Sequence, residues 1–183
     1  MDEETIKDAK RSDLTPTEWL EKYIDRKLFQ NVSLNDEKYV EVRNFMLLWN
    51  IFEREFFYNE ANAGRVWEVQ NCVEPDRDVL NRYFHFLVDT YSVAADFKKL
   101  NFDYKKDNSY MPEHKYGIDV RKILKKDNPS IPERRQACLM IIWRYRNNLF
   151  HGGKAISDIW KQGVIFKEAN LFLMSILSNK TGI

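Results

Sequence analysis

The sequence predicts an all-α protein, a compact bundle of four to five principal helices, and three observations carry that prediction. Apolar side chains recur at three- and four-residue spacing through several long stretches, the period of a helix that buries one face. Glycine and proline number six and five in 183 residues, too few for an all-β chain with its many tight turns. Two capping boxes, Thr15-Pro16-Thr17-Glu18 and Ser130-Ile131-Pro132-Glu133, mark helix starts, because each pairs a hydroxyl with a carboxylate three residues on that satisfies the first free N–H groups. The length suits one domain over 1–183 with a proper core. Within it, residues 1–14 read as a flexible N-terminal segment and 101–129 as an irregular basic insertion.

The first helix follows Thr15, has Pro16 at the favoured first position, and runs to about Phe29 with Trp19, Leu20, Tyr23, Ile24 and Leu28 on one side. Residues 34–60 read as a long helix with the stripe Tyr39, Val42, Met46, Trp49, Glu53, Phe56. Glu53 is the anomaly on that line. Carboxylates are rarely buried unless paired, so it is expected either in a structural ion pair or at the shallow edge of the stripe, or as the holder of Arg146. Residues 61–73 form a short helix or irregular connection. Residues 75–99 read as a second long helix from Pro75, with Val79, Leu80, Tyr83, Phe84, Leu87, Val88 and Tyr91 inward and His85 a packed core or interface histidine.

Asn, Asp, Tyr and Lys dominate residues 101–129, with Ile118 to Lys126 a short helix. From Lys98 to Arg135 there are eleven Lys/Arg against six Asp/Glu, a surplus of five. Such a surplus is either a solvated loop or a basic patch for RNA phosphates. Lys105, Lys106, Lys122, Lys125, Lys126 and, further on, Lys154 are its candidates, and Phe102, Tyr104, Tyr110 and Tyr116 are available to stack on bases. His114 reads as a surface histidine. Helix resumes at Ser130, with Cys138, Ile141, Ile142, Tyr145 and Leu149 on one buried face and Gly152 as its stop. The last helix spans about 157–178, carrying Trp160, Val164, Phe166, Phe172, Leu173, Ile176 and Leu177, and Asn179 to Ile183 are expected to fray.

Bulk properties narrow the function classes. A net charge of +1 gives no strong basic field of the kind that proteins living on nucleic acid carry. Cys72 and Cys138, the two cysteines, lie among apolar neighbours and read as buried free thiols in a reducing compartment. Nothing groups His and Cys at metal-ligand spacing, so no metal and no cofactor is expected. The acidic start Met1-Asp2-Glu3-Glu4 lacks a signal-peptide pattern, and no apolar run approaches the ~20 residues of a membrane span. The chain reads as cytoplasmic.

Polar chemistry concentrates in residues 144–154, Arg-Tyr-Arg-Asn-Asn-Leu-Phe-His-Gly-Gly-Lys. Arg146 and His151 stand five positions apart at the end of an apolar helical run, with Asn147 and Asn148 between them. His151 falls at or just past the helix C-terminus. There the helix dipole favours imidazolium and Arg146 opposes it, so the ring can serve as acid or base near neutral pH.

Arg146-Asn147, three more residues and His151 resemble the R-x4-6-H motif of HEPN domains, in which Asn, Asp or His commonly follows the Arg. Phe150 before the His and Gly152-Gly153-Lys154 after it are similar to bacterial HEPN proteins. Trp49 followed by Glu53 resembles a W-x-x-x-E pattern in the equivalent helix of some of these families. The resemblance implies an all-α bundle that pairs through the motif helix, and active members are metal-independent endoribonucleases. On that basis Arg146, His151 and Asn147 are the expected catalytic residues, with Glu53 and Asn148 supporting. A homodimer is expected, since two copies bring two Arg and two His to one cleft, and so is RNA as substrate. A regulatory or antitoxin protein is a further possible partner, in toxin or phage-defence use. HEPN toxins paired with nucleotidyltransferase antitoxins tend to carry a Tyr two residues after the motif His. Here that position is Gly153, so silencing through that Tyr is not available. Many HEPN domains are non-catalytic scaffolds, which keeps a helical interaction module as the alternative. Pro75-Asp76 with Asp103-Tyr104-Lys105 formally matches a metal nuclease pattern, but that chemistry sits on a β-hairpin and Pro75-Asp76 opens a helical run here.

Overall fold

Nine consecutive residues, Ala137 to Tyr145, contain a single charged side chain, so a helix built from them is apolar all round and has to be surrounded. In the computed structural model, which describes residues 37–100, 102, 113–150 and 162–181, that is their position. Among the described residues there are seven α-helices, α1 (Glu37–Phe57), α2 (Ala63–Glu68), α3 (Arg77–Tyr91), α4 (Ala94–Lys98), α5 (Glu113–Leu124), α6 (Ile131–Phe150) and α7 (Gly163–Thr181). A 3-10 turn covers Val69–Asn71, and there is no strand among the described residues. The protein is an all-α bundle with α6 at its centre, buried on every side from Ala137 to Tyr145 rather than on one face. Helices α2, α3 and α5 pack around α6, and α1 pairs along its length with α7. The Tyr145 ring meets Phe166 edge-on at 6.1 Å and Tyr83 meets Phe172 at 5.0 Å, which joins the two groups.

Local chemistry sets the ends of these helices. Ser130 and Glu133 form the expected box: the Glu133 carboxylate accepts the Ser130 N–H at 2.7 Å, and Ser130 Oγ accepts the Glu133 N–H at 3.4 Å. Lys126 and these Ser130 bonds pull the Glu133 carboxyl down to about 2. Asp76 caps α3, accepting from the N–H groups of Asp78 and Val79 at 2.9 and 3.1 Å, so the helix starts at Arg77 and the carboxylate of the Pro75-Asp76 pair is engaged in the cap.

Several elements differ from the sequence reading. On α1 the core line is Val42, Phe45, Trp49 and Phe52, while Met46 is 40% exposed. Two helical lines compete there, sharing Val42 and Trp49, and the one that wins buries the Phe45 and Phe52 rings completely. The helix expected over 75–99 is broken at Ser92-Val93, where Val93 is extended (φ −79°, ψ 133°). The break turns Phe97, Leu100 and Phe102 back onto the core. His85 is exposed, because Phe84 and Leu87 take the inward positions beside it, and Cys72 is exposed while Val69 and Val73 on either side are buried. Within 101–129, α5 starts at Glu113, earlier than Ile118, and buries Val120, Ile123 and Leu124. Helix α7 continues to Thr181, held by Asn179 Nδ2 donating to the Glu74 carbonyl and Lys180 Nζ to the Glu55 carbonyl, so its last turn does not fray at Asn179; Val164 is exposed. The expected helix over 15–29 and Trp160 lie outside the described residues. Among the described residues no helix is long and apolar enough to cross a membrane.

Gly117 shows how tightly α5 closes on the strap that follows α4. A Cβ there would stand 2.6 Å from the Phe102 Cβ and 2.8 Å from its Cγ. Replacing a helical glycine with alanine ordinarily gains about 1 kcal/mol, but forcing atoms into a full core costs about 1–3 kcal/mol. Gly117→Ala is therefore expected to lower stability in urea titration, and Phe102→Ala should relieve that added cost in the double variant.

Candidate functional site

The C-terminal turns of α6 carry the motif, and the helix wheel divides its residues between two neighbours. Arg146 faces α1. Its Nη2 lies 3.7 Å from Glu53 Oε2, with side-chain exposures of 29% and 13%, and its Nη1 donates to Asn147 Oδ1 at 3.1 Å. Glu53 is itself held in place. Its Oε2 accepts the Trp49 indole N–H at 2.7 Å, and its Oε1 accepts the backbone N–H of Ala61 at 3.4 Å. The carboxylate on the apolar stripe is thus the partner of Arg146, and Trp49 and Glu53 act as one unit across a single helical turn.

The chain after α1 bends to deliver Ala61. Tyr58 and Asn59 adopt left-handed backbone (φ 52° and 64°), and the Asn59 N–H donates to the Glu53 carbonyl. Asn tolerates this conformation, whereas for Tyr58 it costs about 1 kcal/mol or more. Tyr58 is 87% exposed, so its side chain does not offset that cost by packing.

Asn148 lies about 200° round the helix from Arg146 and turns to the other neighbour. Its Nδ2 reaches the Leu100 carbonyl at 3.5 Å, and Arg144, one turn earlier, donates from Nε to the same oxygen at 2.9 Å. The Arg144 guanidinium is buried between the Phe102 and Trp143 rings, 5.6 and 5.5 Å from their centroids. Asn148 is placed to position the strap after α4, and it is not brought to Arg146. Asn147 is buried beside Arg146. Arg144 was given no role by its sequence context, since nothing in the spacing marks an arginine that faces a backbone carbonyl.

Beneath the motif lies a set of buried phenols. Tyr91 and Tyr145 share a hydrogen bond of 2.9 Å between their hydroxyls. Burial pushes Tyr83 and Tyr145 well above the usual phenol range and Tyr91 up to about 12. These groups stay neutral near pH 7 and take no proton from a substrate there. Burial likewise raises the Cys138 thiol and removes it as a nucleophile.

Two of the described lysine candidates are engaged by carboxylates away from Arg146. Lys126 bonds Glu133 at 2.9 and 3.0 Å, thirteen residues before Arg146 on α6, or about 20 Å along the helix axis. Lys122 pairs with Asp119 at 3.4 Å, and Lys125 is exposed just beyond α5. His151, Lys105, Lys106 and Lys154 lie outside the described residues, as do Gly152 and Gly153. Helix α6 reaches Phe150, the residue before His151. Among the described residues there is no group of three or more His, Cys, Asp or Glu placed to hold a metal ion.

No family model, curated protein or solved structure matches this chain. The resemblance rests on the residues of the motif itself.

An exposed ion pair contributes about 0–1 kcal/mol, but leaving a shielded donor without its acceptor costs about 1–3 kcal/mol. Glu53→Gln keeps the shape, removes the charge and can serve fewer of the three donors. It is expected to cost about 1–3 kcal/mol in urea unfolding, and a loss under about 0.5 kcal/mol would place Glu53 with ordinary surface charges.

Proposed function

We propose that the chain is a metal-independent endoribonuclease of the HEPN type, which cuts RNA through the substrate's own 2′-hydroxyl. The observation that carries the reading is the setting of Arg146. Its guanidinium is held between the Glu53 carboxylate and the Asn147 amide, at the end of the helix that leads directly to His151. A guanidinium set in place in this way presents a planar cation matched to phosphate oxygens, where charge builds as the phosphorus becomes five-coordinate.

In this mechanism a base removes the 2′-hydroxyl proton and the 2′-oxygen bonds to phosphorus. The bond from phosphorus to the 5′-oxygen then breaks, and an acid gives that oxygen a proton. The products are a 2′,3′-cyclic phosphate and a free 5′-hydroxyl. His151 is the proton-transfer residue and Arg146 the charge-stabilising one, with Asn147 fixing Arg146. One chain has one such histidine, so base and acid together call for two copies related by a two-fold axis through the motif helix. The cellular role fitting this chemistry is a toxin or phage-defence effector in the cytoplasm, restrained by a partner protein. A second reading, a helical interaction module without catalysis, draws on the exposed apolar side chains Leu47, Ile51 and Met174.

RNA cleavage in EDTA separates these readings. Wild type should cut RNA, leave a DNA copy intact and produce 2′,3′-cyclic phosphate ends. Arg146→Ala and His151→Ala should each lose roughly 10²–10⁴-fold in rate. Cleavage that stops in EDTA, or that extends to DNA, contradicts the mechanism. A folded wild type that never cuts RNA favours the interaction module.

A further inference from the structure

Bringing Ala61 to the Glu53 carboxylate takes a left-handed turn, but it does not take a tyrosine. Phe57 to Glu60 form a tight turn, closed by the Glu60 N–H donating to the Phe57 carbonyl at 3.0 Å, and both central residues, Tyr58 and Asn59, have positive φ. Glycine, asparagine and aspartate make turns of this kind with little strain, and Asn59 is one of them. Tyrosine at the first central position is the strained choice. Its ring stands in water, and among the described side chains Tyr58 is the one exposed Phe, Tyr or Trp.

The backbone beneath that ring is held firmly. The Asn59 N–H donates to the Glu53 carbonyl at 3.4 Å. Arg65 reaches across the turn, its Nη1 donating to the carbonyls of Phe57 and Glu60, each at 3.4 Å, and lying 2.7 Å from the Glu60 carboxylate. A fixed turn that carries a solvent-exposed ring has little ordering left to do when a flat partner arrives.

The place of the turn indicates the partner. Glu53 holds the turn through its own carbonyl and holds the chain beyond it through Oε1, while its Oε2 faces Arg146. The exposed ring and the Arg146 guanidinium are thus anchored on one residue, the first by its backbone and the second by its side chain. A nucleotide joins an anionic phosphate to a flat base, and a guanidinium with an exposed ring close by offers a partner to each.

We propose that Tyr58 is a base-stacking platform for single-stranded RNA, taking a base beside the phosphate that Arg146 engages. The inference rests on the ribonuclease reading and adds to it the means by which the strand is positioned. Every base has a π-face, so the platform tolerates any sequence and fixes the strand without selecting it. Stacking also gives affinity that the net charge of +1 does not supply.

RNA binding tests the proposal, with Tyr58→Asn and Tyr58→Phe compared with their parent, the His151→Ala chain, so that the strand stays whole. Asparagine accepts the left-handed turn and removes the ring, and phenylalanine keeps the ring. The probe is a fluorescently labelled single-stranded RNA, used intact and with one base removed at each position in turn. Tyr58→Asn should weaken binding of the intact strand about 5- to 100-fold, and Tyr58→Phe by less than about threefold. Removing the stacked base should weaken binding to the parent and change little in Tyr58→Asn, where that base already lacks its partner. The thermal midpoint of Tyr58→Asn should equal or exceed the parent's, because strain is relieved and no buried contact is lost.

Equal RNA affinity in Tyr58→Asn and the parent overturns the proposal, including the case in which the variant alters self-association and the ring serves a protein contact. So does a base-removal series that affects both proteins alike, or a lower thermal midpoint in Tyr58→Asn, which makes the ring structural. Cleavage in EDTA with His151 restored keeps this inference apart from the ribonuclease reading. RNA cut with equal kcat/KM by wild type and Tyr58→Asn removes the platform and leaves the nuclease. Tyr58-dependent binding without cleavage leaves the platform and removes the nuclease. A parent that binds no RNA removes both.

Discussion

A carboxylate close to the core line of a helix has to be satisfied on the spot, and the satisfaction of Glu53 organises the motif end of this protein. The charge lies at the margin of the core, where stranding it costs several kcal/mol. One oxygen takes the Trp49 indole N–H and faces Arg146, and the other takes a backbone N–H from the turn before α2. Three separate pieces of chain therefore meet on one residue. The left-handed pair Tyr58-Asn59 is the local cost of bringing the third piece back, and the neutralised carboxylate offsets it.

The same helix turn is braced from the opposite side. Arg144 and Asn148 converge on the Leu100 carbonyl, Phe102 lies against the Arg144 guanidinium, and Gly117 lets Phe102 approach α5 closely. Below, the Tyr91–Tyr145 hydroxyl pair leaves no unpaired oxygen between them at the base of the turn. Arg146 thus projects from a helix that is fixed on three sides, and a fixed cation is what a developing phosphate charge needs, since little reorganisation remains to be done.

How much of this was legible in the sequence follows from the range of each signal. The all-α class and the Ser130–Glu133 box were legible, because capping and periodicity are local, whereas the pairing of Glu53 with Arg146 was one of three readings of a carboxylate on an apolar stripe, and the fold selects it. The rotation of the α1 core line to Phe45 and Phe52 was not, since two helical lines fit the same residues and packing chose between them. Arg144 is inside an apolar run and its partner is a carbonyl forty-four residues away, which no spacing rule addresses. The break at Ser92-Val93 has no glycine or proline to announce it. Lys122 and Lys126 belong to the same basic surplus, yet Lys122 pairs within α5 with Asp119, and Glu133 holds Lys126 at the far end of α6.

The most direct test of the central claim, that Glu53 acts by holding Arg146, is a double-mutant cycle on RNA cleavage with Glu53→Gln measured in the wild-type and Arg146→Lys backgrounds. If Glu53 orients the guanidinium fork, Glu53→Gln should slow cleavage about tenfold or more with Arg146 present and much less in the lysine background, a coupling of about 1 kcal/mol or more. An equal factor in both backgrounds would contradict the account, because Glu53 would then act on the fold independently of Arg146.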